Sequence, residues 1–190
     1  MPKKNQLRII GGQWRGRKLD IADIPGLRPT GDRIRETLFN WLMADISNSR
    51  CLDLFAGSGA LGLECLSRGA QSVVLLEKNK QATKQLEQHC KSLQASGANV
   101  LNQDALVWLN NNNCPKHSID LVFIDPPFSE NLWLTTTHAL SASELLAPGA
   151  LIYIESPKNK PLEIDSTWEI IKEKTTGDVS YRLYRFTQNN

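Results

Sequence analysis

The sequence predicts an α/β fold: a mostly parallel, doubly wound sheet closed by an antiparallel hairpin. Three features carry this. From Cys51 onward, short apolar runs alternate with segments of helical periodicity, the pattern of repeated βαβ units. The first of these runs leads straight into a turn with glycines at 57, 59 and 62. The last two runs instead flank Thr175-Thr176-Gly177-Asp178, the composition of a hairpin turn.

Taken in order, Leu7–Ile10 and Arg17–Ile21, separated by the glycine-rich Gly11–Gly16, predict a small N-terminal β-hairpin. Pro25, Gly26 and Pro29 mark a loop. Asp32 is placed to N-cap a helix reaching about Ala44, with Ile34, Leu38, Trp41 and Leu42 on one face. Strand runs Cys51–Phe55, Val73–Glu77, Val100–Asn102, Ile119–Asp125 and Leu151–Glu155 follow. Helical segments Ala60–Ser67, Gln81–Ala95, Ala105–Asn110 and Leu132–Leu140 lie between them. Trp168–Lys174 and Val179–Phe186 form the closing hairpin.

The 190 residues, 41% hydrophobic and 22% charged, fit one globular domain and exclude a disordered or collagen-like chain. Cys51, Cys65, Cys90 and Cys114 show no CxxC spacing, so neither a metal site nor a disulfide framework is expected. No apolar stretch nears the roughly 18 residues of a membrane span, and Met1–Arg8 lacks the apolar core of a leader. The expectation is a cytoplasmic protein, monomeric and without membrane partners.

Charge is unevenly placed. Residues 1–35 hold nine basic side chains against three acidic ones, whereas the remainder holds thirteen against seventeen. A basic arm on a slightly acidic body suits contact with a polyanion such as a nucleic acid.

The turn Asp53-Leu54-Phe55-Ala56-Gly57-Ser58-Gly59-Ala60-Leu61-Gly62 fits GxGxxG between a strand and a helix. Glycines there let the backbone approach a ligand closely, and Glu77, twenty residues after Gly57, is placed to accept hydrogen bonds from ribose hydroxyls. An adenosine-containing cofactor is therefore expected. A pyrophosphate would seek the helix N-terminus; S-adenosylmethionine carries an ammonium and a sulfonium instead, which favours the carboxylate of Asp53 at the turn. Asp104, after the third strand, either reaches the adenine amino group or caps the next helix.

The fourth strand runs into Asp125-Pro126-Pro127-Phe128. Two prolines stiffen this turn and remove two N–H donors. A carboxylate followed by a carbonyl can take both hydrogens of an exocyclic amine and turn its lone pair toward an incoming methyl group. Phe128 offers a face on which an extruded base stacks.

Asp53–Gly59, Glu77, Asp104 and Asp125–Phe128 resemble, in this order, class I S-adenosylmethionine-dependent methyltransferases that modify exocyclic amines. Arg8-Ile9-Ile10-Gly11-Gly12-Gln13-Trp14-Arg15-Gly16-Arg17 and Arg28-Pro29-Thr30-Gly31-Asp32-Arg33-Ile34-Arg35-Glu36-Thr37-Leu38-Phe39-Asn40 narrow this. They closely resemble the RsmD family of bacterial 16S rRNA guanine-N2 methyltransferases, and the match runs from about Arg8 to Phe186. The resemblance implies a Rossmann-like fold with a seven-stranded sheet, a basic hairpin arm over residues 1–30 and a methyltransferase domain over 31–190. It implies methyl transfer from S-adenosylmethionine to one guanine of 16S rRNA, in the small ribosomal subunit or an assembly intermediate. Asp125, Pro126, Pro127 and Phe128 would be catalytic. The cofactor would meet Thr30, Arg33, Asp53, Phe55, Ala56, Gly57, Ser58, Gly59, Glu77, Lys78, Asp104 and Ala105. Arg8, Arg15, Arg17, Lys18, Arg28 and Arg35 would grip RNA.

Three rival readings are weaker. An NAD-dependent oxidoreductase shares GxGxxG and Glu77 but leaves Asp125–Phe128 and the basic arm without a purpose. Methylation of adenine N6 or of a glutamine side chain keeps the chemistry and changes the substrate. A non-catalytic assembly factor is at odds with the intact Asp53, Glu77 and Asp125.

Overall fold

The computed structural model describes residues 6–21, 31–111 and 114–187; the predicted loop of Pro25, Gly26 and Pro29 lies outside them. Strands β1 (Gln6–Arg8) and β2 (Lys18–Asp20) pair antiparallel, with Leu7 opposite Leu19. Their alternation turns Leu7, Ile9, Leu19 and Ile21 inward, at 1–8% exposure, and leaves Arg8 and Lys18 outside. Each such buried Leu or Ile contributes about 1.5–3 kcal/mol, so the hairpin is held by its apolar face while its charged side chains lie on the outer one.

Helix α1 spans Asp32–Trp41 and is preceded by Gly31, so Asp32 is its first residue and not its cap. Its carboxylate accepts instead from Arg35 at 2.5 Å and Arg8 at 3.4 Å. The seven-stranded sheet has the order β5 (Ala98–Leu101), β4 (Ser72–Leu76), β3 (Arg50–Asp53), β6 (Ile119–Ile124), β7 (Leu146–Pro157), β9 (Val179–Phe186), β8 (Trp168–Thr176). The first five are parallel and β9 runs antiparallel to both its neighbours. Helices α2 (Gly62–Ser67), α3 (Lys80–Leu93), α4 (Ala105–Asn111) and α5 (Trp133–Ala142) connect the parallel strands. Strand β7 begins five residues before the predicted run, because Leu146 already pairs with Ile119. Pro148 and Gly149 lie where the register shifts before Leu151 meets Leu121.

Alternation across the strands divides the core in two. Cys51, Phe123, Tyr153 and Leu183 face α1, α2, α3 and the N-terminal hairpin. Leu52, Val122, Ile152 and Tyr184 face α4 and α5. No helix among the described residues is long and apolar enough to cross a membrane. Strand order proceeds from β3 outward to β5, then resumes on the opposite side of β3 with β6. The switch point between β3 and β6 is where ligands bind in such sheets, and it brings the ends of Asp53 and Asp125 side by side.

Candidate active site

A cavity of about 540 Å³ opens at the carboxyl ends of β3, β4, β6 and β7, within the range of roughly 300–1,000 Å³ for small-molecule sites. Asp53, Glu77, Asp104, Asp125 and Glu155 all contribute to its wall.

Asp53 ends β3 at 2% exposure, where its Oδ2 accepts the Gly62 N–H at 3.2 Å. Burial is the main cause that pushes its pKa up to about 7; the charges of Asp125 and Glu77 add to this, while the N–H groups of Gly62 and Phe55 oppose it. The following turn is shaped by Gly59, whose φ of +81° and close approach to Leu86 exclude a Cβ. Glu77 closes the turn from β4. Its Oε2 accepts the Gly57 N–H at 3.0 Å and its Oε1 the Asn79 N–H at 2.6 Å. These bonds fix the carboxylate and leave lone pairs for a ligand. Asp104 caps α4, its Oδ1 accepting from Leu106 and Val107 at 2.9 and 3.1 Å, and lines the cavity as well. Lys78 also lines it, with Nζ bound to both oxygens of Glu130 at 2.7 and 2.5 Å.

On the opposite wall, Asp125, Pro126, Pro127 and Phe128 follow β6. The Pro127 carbonyl accepts from Glu130 N at 2.9 Å, closing a short 3-10 turn over Phe128–Glu130. Phe128 is 40% exposed, with its ring edge-on to buried Trp133 at 5.6 Å. A ring face thus remains at the cavity mouth.

Of the sequence-predicted residues, Phe55, Ala56, Gly57, Ser58 and Ala105 join this wall, and Gly59 shapes the turn behind it. Two of the expected residues lie outside the cavity wall. Arg33 is exposed on α1, and the wall there is made by Gly31 and Ile34, because successive helical residues point about 100° apart. Arg35 is 1% exposed: it donates to the Arg8 carbonyl at 2.9 Å and to Asp32, and faces Glu64 at 3.8 Å, so its guanidinium is turned inward. Thr30 and Arg28 lie outside the described residues. Arg8, Arg15, Arg17 and Lys18 are exposed on the hairpin.

Sequence reasoning missed Glu155. It lies near the carboxyl end of β7 at 6% exposure, lines the cavity, and is pushed up to about 8, chiefly by burial and then by the charge of Asp125. The ordinary values of Asp53 and Glu155 are 3.8 and 4.5, so between there and about 7 or 8 the folded chain holds protons that the unfolded chain releases. Their contribution to stability therefore falls as pH rises through that range. The ligand-free protein is expected to melt at lower temperature at pH 8 than at pH 5, and Asp53→Asn to flatten the slope. A melting temperature that rises over this window in the wild type would contradict the assignment.

The donor set fits a cationic nucleoside: carboxylates for hydroxyl, amino and sulfonium groups, and a backbone turn without side chains in the way. A family profile described as "Conserved hypothetical protein 95" matches residues 7–185. "Ribosomal RNA small subunit methyltransferase D" of Haemophilus influenzae is 50% identical over 184 residues, 96% of this chain and 95% of that one. The chain belongs to the RsmD family. The same fold is seen in a solved structure described as a putative methyltransferase from Escherichia coli, with a TM-score of 0.89 and 44% identity over 97% of this chain and all of that one. A more distant RNA methyltransferase from Salinibacter ruber, solved with S-adenosyl-L-homocysteine, shares the fold at 15% identity and a TM-score of 0.62, covering 86% of this chain and 96% of that one. The family match thus spans the hairpin, the glycine turn and Asp125–Phe128 together.

Proposed function

We propose that this chain transfers a methyl group from S-adenosylmethionine to the exocyclic N2 of one guanine in 16S rRNA, within the small ribosomal subunit or an assembly intermediate. The observation that carries this reading is the meeting of two walls in one cavity: Asp53–Gly59 with Glu77 on one side, Asp125–Phe128 on the other. The name of the Haemophilus influenzae relative, a ribosomal RNA small subunit methyltransferase, supports the same substrate class.

The cofactor supplies a methyl group already activated on a sulfonium. Phe55 to Gly59 and Ala105 would frame its nucleoside, Glu77 and Asp104 would accept from its hydroxyl and amino groups, and Asp53 and Lys78 would meet its charged end. The guanine, flipped from its stack, lies against Phe128. Asp125 and the Pro126 carbonyl hold the two amine hydrogens, so the lone pair faces the methyl group. Asp125 would then receive the proton that N2 gives up as the N–C bond forms and the methyl–sulfur bond breaks, its electron pair staying on sulfur. Most of the acceleration comes from this positioning.

The arm of residues 1–30 would deliver RNA to the domain of residues 31–190, with Arg8, Arg15, Arg17 and Lys18 on phosphates. Replacing Arg15 and Arg17 together should weaken subunit binding and lower the slope of log K against log salt by about two, one for each lost phosphate contact. An unchanged slope removes the arm from the interface.

The deciding experiment is transfer from labelled S-adenosylmethionine to small subunits lacking the modification, with mass-spectrometric identification of the product nucleoside. N2-methylguanosine at one site is expected. A different methylated base would overturn the substrate assignment, and absence of transfer would overturn the activity.

A further inference from the structure

Glu155 has no part in the chemistry above, yet it sits beside it. Ile124 and Ile154 are paired in the parallel ladder of β6 and β7, so Asp125 and Glu155 are the next residues of adjacent strands and share one face of the sheet. The Glu155 carboxyl is 6% exposed and follows an apolar strand run, Leu151–Ile154. Its Oε2 accepts from the buried Tyr153 hydroxyl at 2.9 Å, which leaves the acceptor capacity of Oε1 for a ligand. Its backbone carbonyl is pinned by Trp133 Nε1 at 2.7 Å. Among the described residues no cation is paired with it. Burying a carboxyl with a phenol as its partner costs stability, and a packed apolar residue would fill that place better.

We propose that Glu155 makes the pocket select guanine, its carboxylate accepting the ring N1–H of the base whose amine is held by Asp125 and the Pro126 carbonyl. This rests on the guanine-N2 reading. Beside its exocyclic amine, guanine carries a donor at N1, whereas adenine and cytosine carry a ring nitrogen lone pair beside theirs. A fixed acceptor at that position attracts the first and repels the others. Accepting N1–H also pushes electron density toward N2, the attacking atom.

The groups that face Glu155 set its titration. Asp125 stands beside it on β6, Tyr153 lies below it on β7, and Tyr181 is opposite it on β9. Asp53 lies across the same cavity on β3. Arg182 of β9 is occupied by Glu173 and Ser156 at 2.6 and 3.1 Å. With the working form ionised, kcat/KM for the subunit rises with pH through about 8. Saturating cofactor removes Asp53 from that profile.

The test measures transfer, at saturating S-adenosylmethionine, to small subunits carrying guanine or adenine at the target position. Glu155→Ala should lower kcat/KM for guanine roughly 100-fold, the scale of one hydrogen bond to a charged group. Glu155→Gln can turn an N–H toward adenine N1, so its preference for guanine over adenine should fall at least about 10-fold, and its rise with pH should vanish. Tyr153→Phe, which frees the carboxyl without removing it, should weaken the preference in the same direction. Cofactor affinity, read by calorimetry, should stay unchanged in all three. A Gln variant with the wild-type preference and pH rise overturns the proposal, as does loss of cofactor binding in step with loss of transfer. If the wild type itself modifies another base, it is the guanine-N2 reading that fails, and this is seen without any variant.

Discussion

Asp125→Ala should lose methyl transfer on the order of 10³-fold in kcat while binding S-adenosylmethionine within a few-fold of the wild type. In the proposed reaction Asp125 holds the amine that reacts, so its removal frees that amine to rotate and delocalise its lone pair into the ring. The stiff Pro126-Pro127 turn remains, and so do the Asp53, Gly57–Gly59 and Glu77 contacts on the opposite wall, which is why binding and turnover should separate. Relief of the negative charge beside Asp53 and Glu155 should also bring the titration of both carboxyls down. Asp125→Asn keeps one acceptor oxygen and should fall between the two. Single-turnover transfer to small subunits, alongside calorimetric cofactor binding, reads these effects. Retained turnover in the Ala variant would remove Asp125 from the chemistry.

Most of the frame that places Asp125 was legible in the residues. Short apolar runs between helical segments gave the parallel strands, and glycines after the first run gave the ligand turn, because both follow from local backbone geometry. What local reading could not give was position across the sheet. Three parallel strands end at or run straight into an acid, Asp53, Glu77 and Asp125, and a fourth, β7, carries Glu155 near the same end. The fourth was read only as the end of a strand, since nothing local distinguishes it. It becomes part of the site only when β7 is known to lie next to β6, a fact of long-range pairing. The signal was nonetheless present: a carboxylate closing an apolar run at the same strand end as the other three.

Charge counting failed in a related way at Arg35. It belongs numerically to the basic arm, but it shares α1 with buried Leu38 and Phe39, three and four residues on, and so falls on the inner face. Net charge says nothing of which way a side chain turns. The exposed Arg15, Arg17 and Lys18 and the buried Arg35 therefore count alike in the sequence and act differently in the fold.

Glu64→Ala should cost about 3–5 kcal/mol, the range for breaking a buried ion pair by removing one partner. For a chain of this size that is a fall in melting temperature of roughly 6–20 °C. Glu64 is 1% exposed on α2. Its two oxygens accept the Ile10 and Gly11 N–H groups, each at 2.8 Å, and Arg68 Nε at 2.7 Å, with Arg35 at 3.8 Å. Without that carboxylate, two hairpin N–H groups and Arg68 Nε lose their acceptor, and buried Arg35 loses a neighbouring negative charge while keeping Asp32 and the Arg8 carbonyl. Ser67 completes the dock, accepting from Trp14 N at 3.0 Å and donating to the Gly11 carbonyl at 2.5 Å. The fit is close enough that a Cβ on Gly12, already at φ +73°, would stand 1.7 Å from the Ser67 carbonyl oxygen. Gly12→Ala therefore separates docking from buried charge. It should lower the melting temperature less than Glu64→Ala and raise KM for the subunit, with cofactor binding preserved. The same helix begins at Gly62, whose N–H holds Asp53, so α2 ties the hairpin proposed to meet RNA to the carboxylate proposed to meet the cofactor. A change in melting temperature below about 2 °C in Glu64→Ala would show that the apolar face alone seats the hairpin, and a Gly12→Ala variant with wild-type KM would show that the seat does not matter for substrate.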